Sequence, residues 1–272
     1  MDVSKYRVAP GSEVRLSEWS TDDSDGVERD AADARRAENI ETISMLQHRL
    51  YAEHKRSVLI VLQAMDAAGK DSTIRHVLGA VNPQGVQVKA FKRPTPDELE
   101  HDFLWRVHRH APQRGHIQVF NRSHYEDVLI ARVNGLVPEE RWRARYEIIN
   151  QFEALLAQAG TEIVKVYLHV SKDRQKEKLL RRLTDPSRNW KFEAADFETR
   201  AGWDEYMRAY EDAIGRCSTD DAPWYIVPTD RKWHRITIVS EIVRQTLENI
   251  GPKFPEPSID PQSALKLLDQ LT

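Results

Sequence analysis

The sequence predicts an α/β fold in three layers, with helices on both faces of a central five-stranded parallel sheet. Short apolar runs rich in β-branched residues are typical of strands that are buried on both faces. These runs alternate with segments in which apolar residues recur at helical spacing. Alternation of strand and helix produces βαβ units, whose strands lie parallel in one sheet. The length of 272 residues is compatible with a single domain.

Each element is predicted from its own composition and spacing. Five segments have the apolar, β-branched character of strands: 57–62, 86–91, 116–120, 162–170 and 224–227. Helical periodicity predicts helices at 30–54, 71–81, 95–110, 138–159, 172–183 and 203–215. A further helix begins near Glu126, and a last helix ends before residue 251.

The two ends of the chain differ in composition from the middle. Residues 1–29 are acidic and turn-rich, which predicts a surface arm that leads into the first helix. Residues 30–250 are expected to form one domain. Three prolines between residues 252 and 257 stop the last helix and predict an extended exit into a tail at 251–272.

Charge and hydropathy exclude several classes of protein. The net charge of −3 does not favour a general nucleic-acid partner. No apolar stretch approaches the roughly 18 residues that span a bilayer, and no signal peptide opens the chain, so we expect no membrane partner and a cytoplasmic location. The single cysteine, Cys217, fits a reducing compartment and is expected to pack near a helix end.

The first predicted strand runs into a small-residue turn and a helix start, which together have the character of a phosphate-binding loop. Backbone N–H groups at a helix N-terminus attract phosphate, Gly69 allows close approach, and Lys70 supplies a cation. Ala64 replaces the first glycine of the usual pattern, and Asp71 replaces its hydroxyl residue. The alternative is an ordinary turn with a solvent-facing lysine. The candidate phosphate-binding residues here are Ala67, Ala68, Gly69, Lys70, Asp71 and Ser72.

Asp66 is unusual because it places a carboxylate inside this loop. A carboxylate repels phosphate unless a metal ion bridges the two or the carboxylate accepts a proton. Asp66 is therefore a candidate catalytic residue or metal ligand. The alternative is that it caps the following helix, a role that Asp71 could fill instead.

Polar residues follow the third predicted strand, where P-loop enzymes commonly carry a carboxylate that organises Mg²⁺. Asn121 stands at that point, and Glu126 and Asp127 could restore the charge from the first turn of the next helix. Arg122 should lie beside the phosphate loop at the carboxyl edge of the sheet. The alternative for Arg122 is a surface pair with Glu126.

A basic region covers residues 172–191, with eight basic and three acidic side chains. Its helix places Arg174, Lys178 and Arg181 on one face, a pattern that is usually solvated. The helix breaks after residue 184 into a mixture of bases and aromatics, which predicts a helical lid at about 178–200. The candidate phosphate-binding bases in this region are Arg182, Arg188 and Lys191. Lys92, after the second strand, is a further candidate, and the alternative for Lys92 is plain surface charge.

Together, residues 63–71, 120–127, 185–191 and 223–232 resemble the polyphosphate kinase 2 family, and the resemblance extends over about residues 57–250. It implies a thymidylate-kinase-like P-loop fold and transfer of the terminal phosphate of inorganic polyphosphate to a nucleotide, with Mg²⁺ or Mn²⁺. The resemblance implies that Asp66 positions the acceptor phosphate and the metal ion, while Lys70 and Arg122 bind phosphates. The segment with Asn121 resembles the class III subgroup, which phosphorylates AMP and ADP to give ADP and ATP.

The implied site has catalytic and metal-binding sets. The catalytic set is Asp66, Lys70, Asn121, Arg122 and Glu126, and the metal set is Asp66, Glu126 and Asp127. An ATP-dependent nucleoside monophosphate kinase of the same fold is the main alternative. A GTP-dependent switch is disfavoured because no Asn-Lys-x-Asp segment is present. The helices at 30–54 and 138–159 could serve a homo-oligomer, although an ordinary core explains both.

Overall fold

The computed structural model describes residues 1–271 and contains one sheet of five parallel strands in the order β2-β3-β1-β4-β5. The strands are β1 (Ser57–Gln63), β2 (Val86–Ala90), β3 (Ile117–Asn121), β4 (Thr161–His169) and β5 (Trp224–Pro228). Every residue of β1, the central strand, is buried, as a strand covered on both faces requires. The five predicted strands are confirmed, each end within one residue.

Helices surround this sheet and connect its strands. They are α1 (Arg29–Glu53), α2 (Lys70–Leu78), α3 (Pro96–Leu99), α4 (Trp105–His108), α5 (Glu126–Val133), α6 (Glu139–Gln158), α7 (Lys172–Thr184), α8 (Ala195–Ala201), α9 (Trp203–Cys217), α10 (Lys232–Ile250) and α11 (Pro261–Gln270). Helices α1, α2 and α10 contact one another, and α5, α6 and α9 form a second group.

The two groups of helices cover opposite faces of the sheet. Ile60 and Leu62 of β1 line a small void with side chains of α2 and α10. Val61 points to the other face, as does its register partner Lys165 on β4. Lys165 contacts Glu153 of α6 and the end of α9, so these helices cover that face. The predicted three-layer α/β arrangement is therefore confirmed. At the end of α9, Cys217 is fully buried as expected, and burial raises the pKa of its thiol to about 12.

The single helix predicted at 95–110 is wrong, because the chain forms two short helices there. Thr95 and Glu98 make a capping box that starts α3. The carboxylate of Asp102 then accepts a hydrogen bond from the Leu104 amide at 2.9 Å, before α4 begins. Such local side-chain bonds to the backbone compete with the continuous helical ladder.

The N-terminal arm is more buried than the sequence predicts. Residues 20–26 are a turn-rich surface segment, as expected, but five apolar side chains before them join the core: Val3, Tyr6, Val8, Val14 and Leu16. The Val8 amide donates to the Trp224 carbonyl at 2.8 Å, so the arm covers the exposed edge of β5. The tail leaves α10 in extended form, but α11 within it is not predicted; Asp260 caps this helix and Pro261 opens it.

Glu241 joins α1 to α10 in a buried ion-pair cluster. Its carboxylate is fully buried and accepts hydrogen bonds from Arg35 Nε at 3.0 Å and from Arg244 Nη2 at 2.5 Å. Burial alone would raise the pKa of Glu241, but the bonds from Arg35, Arg244 and Gln245 outweigh it and lower the pKa to about 2.

We predict that Glu241→Gln lowers the free energy of unfolding by on the order of 3 kcal/mol at pH 7, because it leaves two guanidinium groups without their buried anion. The folded pKa of about 2 lies below the ordinary value of 4.5. The contribution of Glu241 is therefore present above pH 4.5 and is lost as the pH falls toward 2. Urea unfolding at pH 7 and pH 3 should show a difference between wild type and variant that shrinks at pH 3; an equal difference at both would contradict this account.

Within residues 1–271, no helix is both long and apolar enough to cross a bilayer.

Candidate active site

The phosphate loop, residues 64–71, joins the end of β1 to the first turn of α2. Two of its residues have left-handed backbone conformations, Ala67 with φ of 62° and Gly69 with φ of 114°. Residues with a Cβ rarely adopt such angles, and they persist only where surrounding contacts impose them. Lys70 Nζ folds back to donate to the Ala64 carbonyl at 3.1 Å. Lys70 is therefore half-buried within the loop, and the alternative of a solvent-facing lysine is wrong.

Arg235 of α10 packs against this loop, although no sequence motif singles it out. Its Nη1 donates to the Ala68 carbonyl at 2.8 Å, and its Nη2 reaches the Ser72 hydroxyl at 3.4 Å. Arg235 is 2% exposed, and burial, followed by the neighbouring Arg174, lowers its pKa to about 10. The guanidinium lies so close to Gly69 that a Cβ there would be 2.3 Å from Nη1. Gly69 is thus required for its backbone angle and for the space that Arg235 occupies.

Asp66 and Arg122 form an ion pair across the carboxyl edge of the sheet. Arg122 Nη2 donates to Asp66 Oδ1 at 2.6 Å, and the two side chains are 36% and 16% exposed. Arg122 has a φ of 61°, and its amide donates to the Leu62 carbonyl of β1 at 3.0 Å. The alternative that Asp66 caps α2 is wrong, because the N-cap is Gly69 and no side-chain cap bond is present.

Lys70 and Glu126 lie close to this ion pair, and the four side chains form a compact group of charges. Burial raises the pKa of Glu126, although Arg122 and Lys70 act in the opposite direction. Burial and then the Arg122 charge lower the pKa of Lys70 to about 8. Burial alone would lower the pKa of Arg122, but Glu126 and Asp66 outweigh it and raise the pKa. Two cations and two carboxylates therefore interact at the mouth of the loop.

Two of the departures from the usual P-loop pattern, Asn121 and Asp71, contact each other. Asn121 at the end of β3 donates its Nδ2 to Asp71 Oδ1 at 2.7 Å. In the sequence, Asn121 stands where an acid is expected and Asp71 where a hydroxyl residue is expected, and nothing there links the two. The hydrogen bond links β3 to the first turn of α2, beside the ion pair of Asp66 and Arg122.

Asp127 lies apart from the four charges. It has Arg106 and Arg145 each at 3.6 Å from a carboxylate oxygen, and its carbonyl accepts from Arg145 Nη1 at 2.8 Å. Among residues 1–271, no three His, Cys, Asp or Glu side chains group as metal ligands. The roles of Asp66, Glu126 and Asp127 as metal ligands stay predictions, and two guanidinium groups already face the Asp127 carboxylate.

A family model described as polyphosphate kinase 2 matches residues 26–255, most of the chain and all of the elements that build this site. The chain belongs to the polyphosphate kinase 2 family. The resemblance predicted from the sequence motifs is thereby confirmed, and the fold is the α/β P-loop kinase fold.

Individual relatives of this family cover nearly the whole chain. The AMP/ADP-polyphosphate phosphotransferase of Meiothermus ruber is 47% identical, over 94% of this chain and 96% of the relative. The ADP-polyphosphate phosphotransferase of Rhodopseudomonas palustris is 44% identical, over 93% and 92%. The crystal structure of polyphosphate kinase 2 from Arthrobacter aurescens superposes with a TM-score of 0.94 at 40% identity, over 98% and 95% of the two chains.

The predicted lid bases of this polyphosphate kinase 2 family member contact groups other than the phosphate loop. Arg182 pairs with Asp196 at 3.0 Å, and Arg188 pairs with Asp185 at 2.7 Å. Lys191 Nζ lies over the exposed Trp190 ring, 4.9 Å from its centroid. Lys92 has an exposed side chain, and its carbonyl accepts a hydrogen bond from Arg106 at 2.8 Å. Their roles in phosphate binding stay predictions.

Lys178 is the base of α7 that does reach the phosphate loop. Its Nζ donates to the Ala68 carbonyl at 3.4 Å, the same oxygen that Arg235 contacts. Burial, followed by the Arg235 charge, lowers the pKa of Lys178 to about 8. Helical spacing predicts that Lys178 lies on a face that is usually solvated. The excess of basic residues in this helix was the signal, and periodicity alone did not show which base points inward.

We predict that Gly69→Ala lowers turnover by about 100-fold or more, because the new Cβ must displace Arg235 or the loop. A displacement of about 1 Å at a reacting group has an effect of this size. Gly202→Ala is the matched control, since a Cβ at Gly202 would make only ordinary contacts at 3.7 Å. Steady-state kinetics and thermal unfolding of both variants check this prediction. Equal turnover in the two variants would contradict the proposed packing.

Proposed function

We propose that the protein transfers the terminal phosphate of inorganic polyphosphate to AMP and to ADP, giving ADP and ATP. The observation that carries this proposal is the carboxylate of Asp66, which lies inside a phosphate-binding loop and is held by Arg122 at 2.6 Å. A carboxylate at that position fits a site in which two phosphate groups meet, one as donor and one as acceptor. The names of the relatives from Meiothermus ruber and Rhodopseudomonas palustris support the same substrates.

The reaction is an in-line displacement at phosphorus. An oxygen of the acceptor's terminal phosphate attacks the last phosphorus of the polyphosphate. The bond from that phosphorus to its bridging oxygen breaks, and the polyphosphate leaves one unit shorter. Such transfer depends on positioning and on charge neutralisation more than on covalent catalysis by the protein.

Each group of the site has a part in that scheme. The backbone amides of residues 67–70 and the side chains of Lys70 and Arg122 bind phosphate oxygens. Asp66 and Glu126 would hold Mg²⁺, with Mn²⁺ as an alternative. Two carboxylates fit this ion because Mg²⁺ in phosphoryl-transfer sites takes one or two carboxylates and completes its shell with phosphates and water. When bound, the ion neutralises phosphate charge. Asp66 also orients the acceptor phosphate through its pairing with Arg122.

Further parts of the scheme stay predictions: residues 178–200 as the lid, residues 30–250 as the catalytic domain, a cytoplasmic location and assembly into a homo-oligomer.

A donor assay tests the proposed function against an ATP-dependent nucleotide kinase of the same fold. The protein is incubated with Mg²⁺ and with AMP or ADP, and either long-chain polyphosphate or ATP is supplied as the only donor. We expect ADP from AMP and ATP from ADP with polyphosphate. Absence of both products with polyphosphate would overturn the proposal, and ADP formed from AMP only with ATP as donor would identify the alternative.

A further inference from the structure

A buried polar network joins the middle of the turn that carries Arg122 and Glu126 to α6 and β4. Its four members are His124, Tyr125, Glu153 of α6 and Lys165 of β4. Each is at most 1% exposed. No part of the scheme above uses these side chains, and none of them reaches the phosphate loop.

Lys165 occupies the middle of the sheet, where an ammonium group needs full compensation. Its Nζ donates to the Tyr125 hydroxyl at 2.9 Å, to Glu153 Oε2 at 2.5 Å and to the Cys217 carbonyl at 2.5 Å. All three of its protons therefore have acceptors. This arrangement ties β4 to α6, to the end of α9 and to the turn after β3.

Glu153 connects the ammonium to that turn. Its Oε1 accepts from the Tyr125 hydroxyl at 3.0 Å and lies 3.0 Å from His124 Nε2. Burial alone would raise the pKa of Glu153, but the charge of Lys165 and the bond to His124 outweigh it and lower the pKa. The carboxylate thus holds two consecutive residues of the turn.

The turn itself, residues 122–126, needs such restraint. Arg122 at its start has a φ of 61°, a conformation that costs energy for a residue with a side chain. The three residues in its middle, Ser123, His124 and Tyr125, are fully buried. Only the two ends, Arg122 and Glu126, reach the proposed active site. Any shift of the buried middle therefore moves both functional side chains together.

We propose that Glu153 and Lys165 are positioning residues for phosphoryl transfer. They fix the 122–126 turn from below, and so set the places of Arg122 and Glu126 without contacting substrate. This inference rests on the proposed function and extends it to residues on the far side of the turn. A buried ion pair adds little net stability compared with apolar packing, so its presence here fits a role in defining one geometry.

The test compares Glu153→Gln with Glu241→Gln. Both replace a buried glutamate that holds cations, but Glu241 joins α1 to α10 and has no contact with the turn. We expect Glu153→Gln to lower kcat by about 10- to 100-fold, from misplacement of reacting groups, with KM for AMP and polyphosphate within about threefold of wild type. Glu241→Gln should keep the wild-type kcat at a temperature where both variants are folded. Wild-type kcat in folded Glu153→Gln would overturn the inference.

Tyr125→Phe provides a gentler variant if Glu153→Gln does not fold. It keeps the ring and removes one hydroxyl, which donates to Glu153 and accepts from Lys165. We expect kcat to fall by about three- to tenfold, because the turn loses both of these buried hydrogen bonds. An unchanged kcat in this variant would also overturn the inference.

Hydrogen exchange separates this inference from the proposed function. In Glu153→Gln, or in Tyr125→Phe, amides of residues 122–129 should exchange faster than in wild type, while those of α1 and α10 should not. Faster exchange confined to residues 122–129 would support the positioning role of Glu153 and Lys165. Failure of the wild-type protein to use polyphosphate would contradict only the proposed function, and the exchange result would still stand. If the exchange rate at the turn is unchanged, or rises equally in all parts of the protein, the positioning role is contradicted and the proposed function is not.

Discussion

Asp66→Asn is expected to lower kcat with polyphosphate and AMP by about 1,000-fold or more, a range typical for removal of a key electrostatic group in phosphoryl transfer. Asparagine has nearly the same shape as aspartate but has no negative charge to offer a metal ion or an acceptor. It also leaves Arg122, now 2.6 Å from Asp66 Oδ1, without its anion. The fold should survive, because the Asp66 side chain contributes no cap to α2.

Asp212→Asn is the matched control for that experiment. Asp212 also pairs with an arginine, Arg132 at 2.5 Å, but this pair joins α9 to α5 away from the phosphate loop. Steady-state kinetics and thermal unfolding should show full turnover in Asp212→Asn and almost none in Asp66→Asn, with folded protein in both. Turnover near wild type in Asp66→Asn would remove its proposed role.

Arg122→Met is expected to lower kcat by a similar factor, about 1,000-fold, because arginines that stabilise transferring phosphoryl groups have effects of 10³ to 10⁵. The substitution removes the charge but keeps a long side chain. Arg122→Lys should recover only part of the activity, since lysine keeps the charge and loses the planar fork. Arg132→Met serves as the control.

Because Asp66 and Arg122 touch, their effects should not be independent. The double variant Asp66→Asn/Arg122→Met is expected to lose less activity than the product of the two single losses. A full product of losses, measured as kcat/KM in the double-mutant cycle, would show that the ion pair does not act as a unit.

Much of the fold follows from local sequence signals. The five strands are predicted within one residue, and the central strand β1 is the clearest case because it is a short apolar run buried on both faces. The continuous helix at 95–110 is wrong because Asp102 accepts a bond from the Leu104 amide and imposes a local break that apolar spacing does not reveal. The sequence does not predict the burial of the N-terminal arm, because the apolar residues of the arm are spaced irregularly among polar ones.

The centre of the site was also predictable. Asp66 and Arg122 follow neighbouring strands of a parallel sheet, so both must lie at its carboxyl edge. That position brings their side chains together, and the ion pair confirms it.

The supporting residues depend on tertiary contacts that sequence spacing does not encode. Arg235 lies in an apolar helix 167 positions from the Ala68 carbonyl that it contacts. Lys165 stands within a predicted strand, and Glu153 lies within a predicted amphipathic helix, where a charged residue is usually solvated. Only the packing of α6 against β4 shows that the two charges meet.

The central claim is that polyphosphate is the donor and that it loses one phosphate for each acceptor phosphorylated. Phosphorus NMR of the protein with Mg²⁺, AMP and polyphosphate of defined length follows both sides of this exchange in one sample. We predict that the signal of chain phosphates falls by one unit for every ADP formed, and by two for every ATP. Release of free orthophosphate without phosphorylated nucleotide, or no change in the chain signal, would contradict the account.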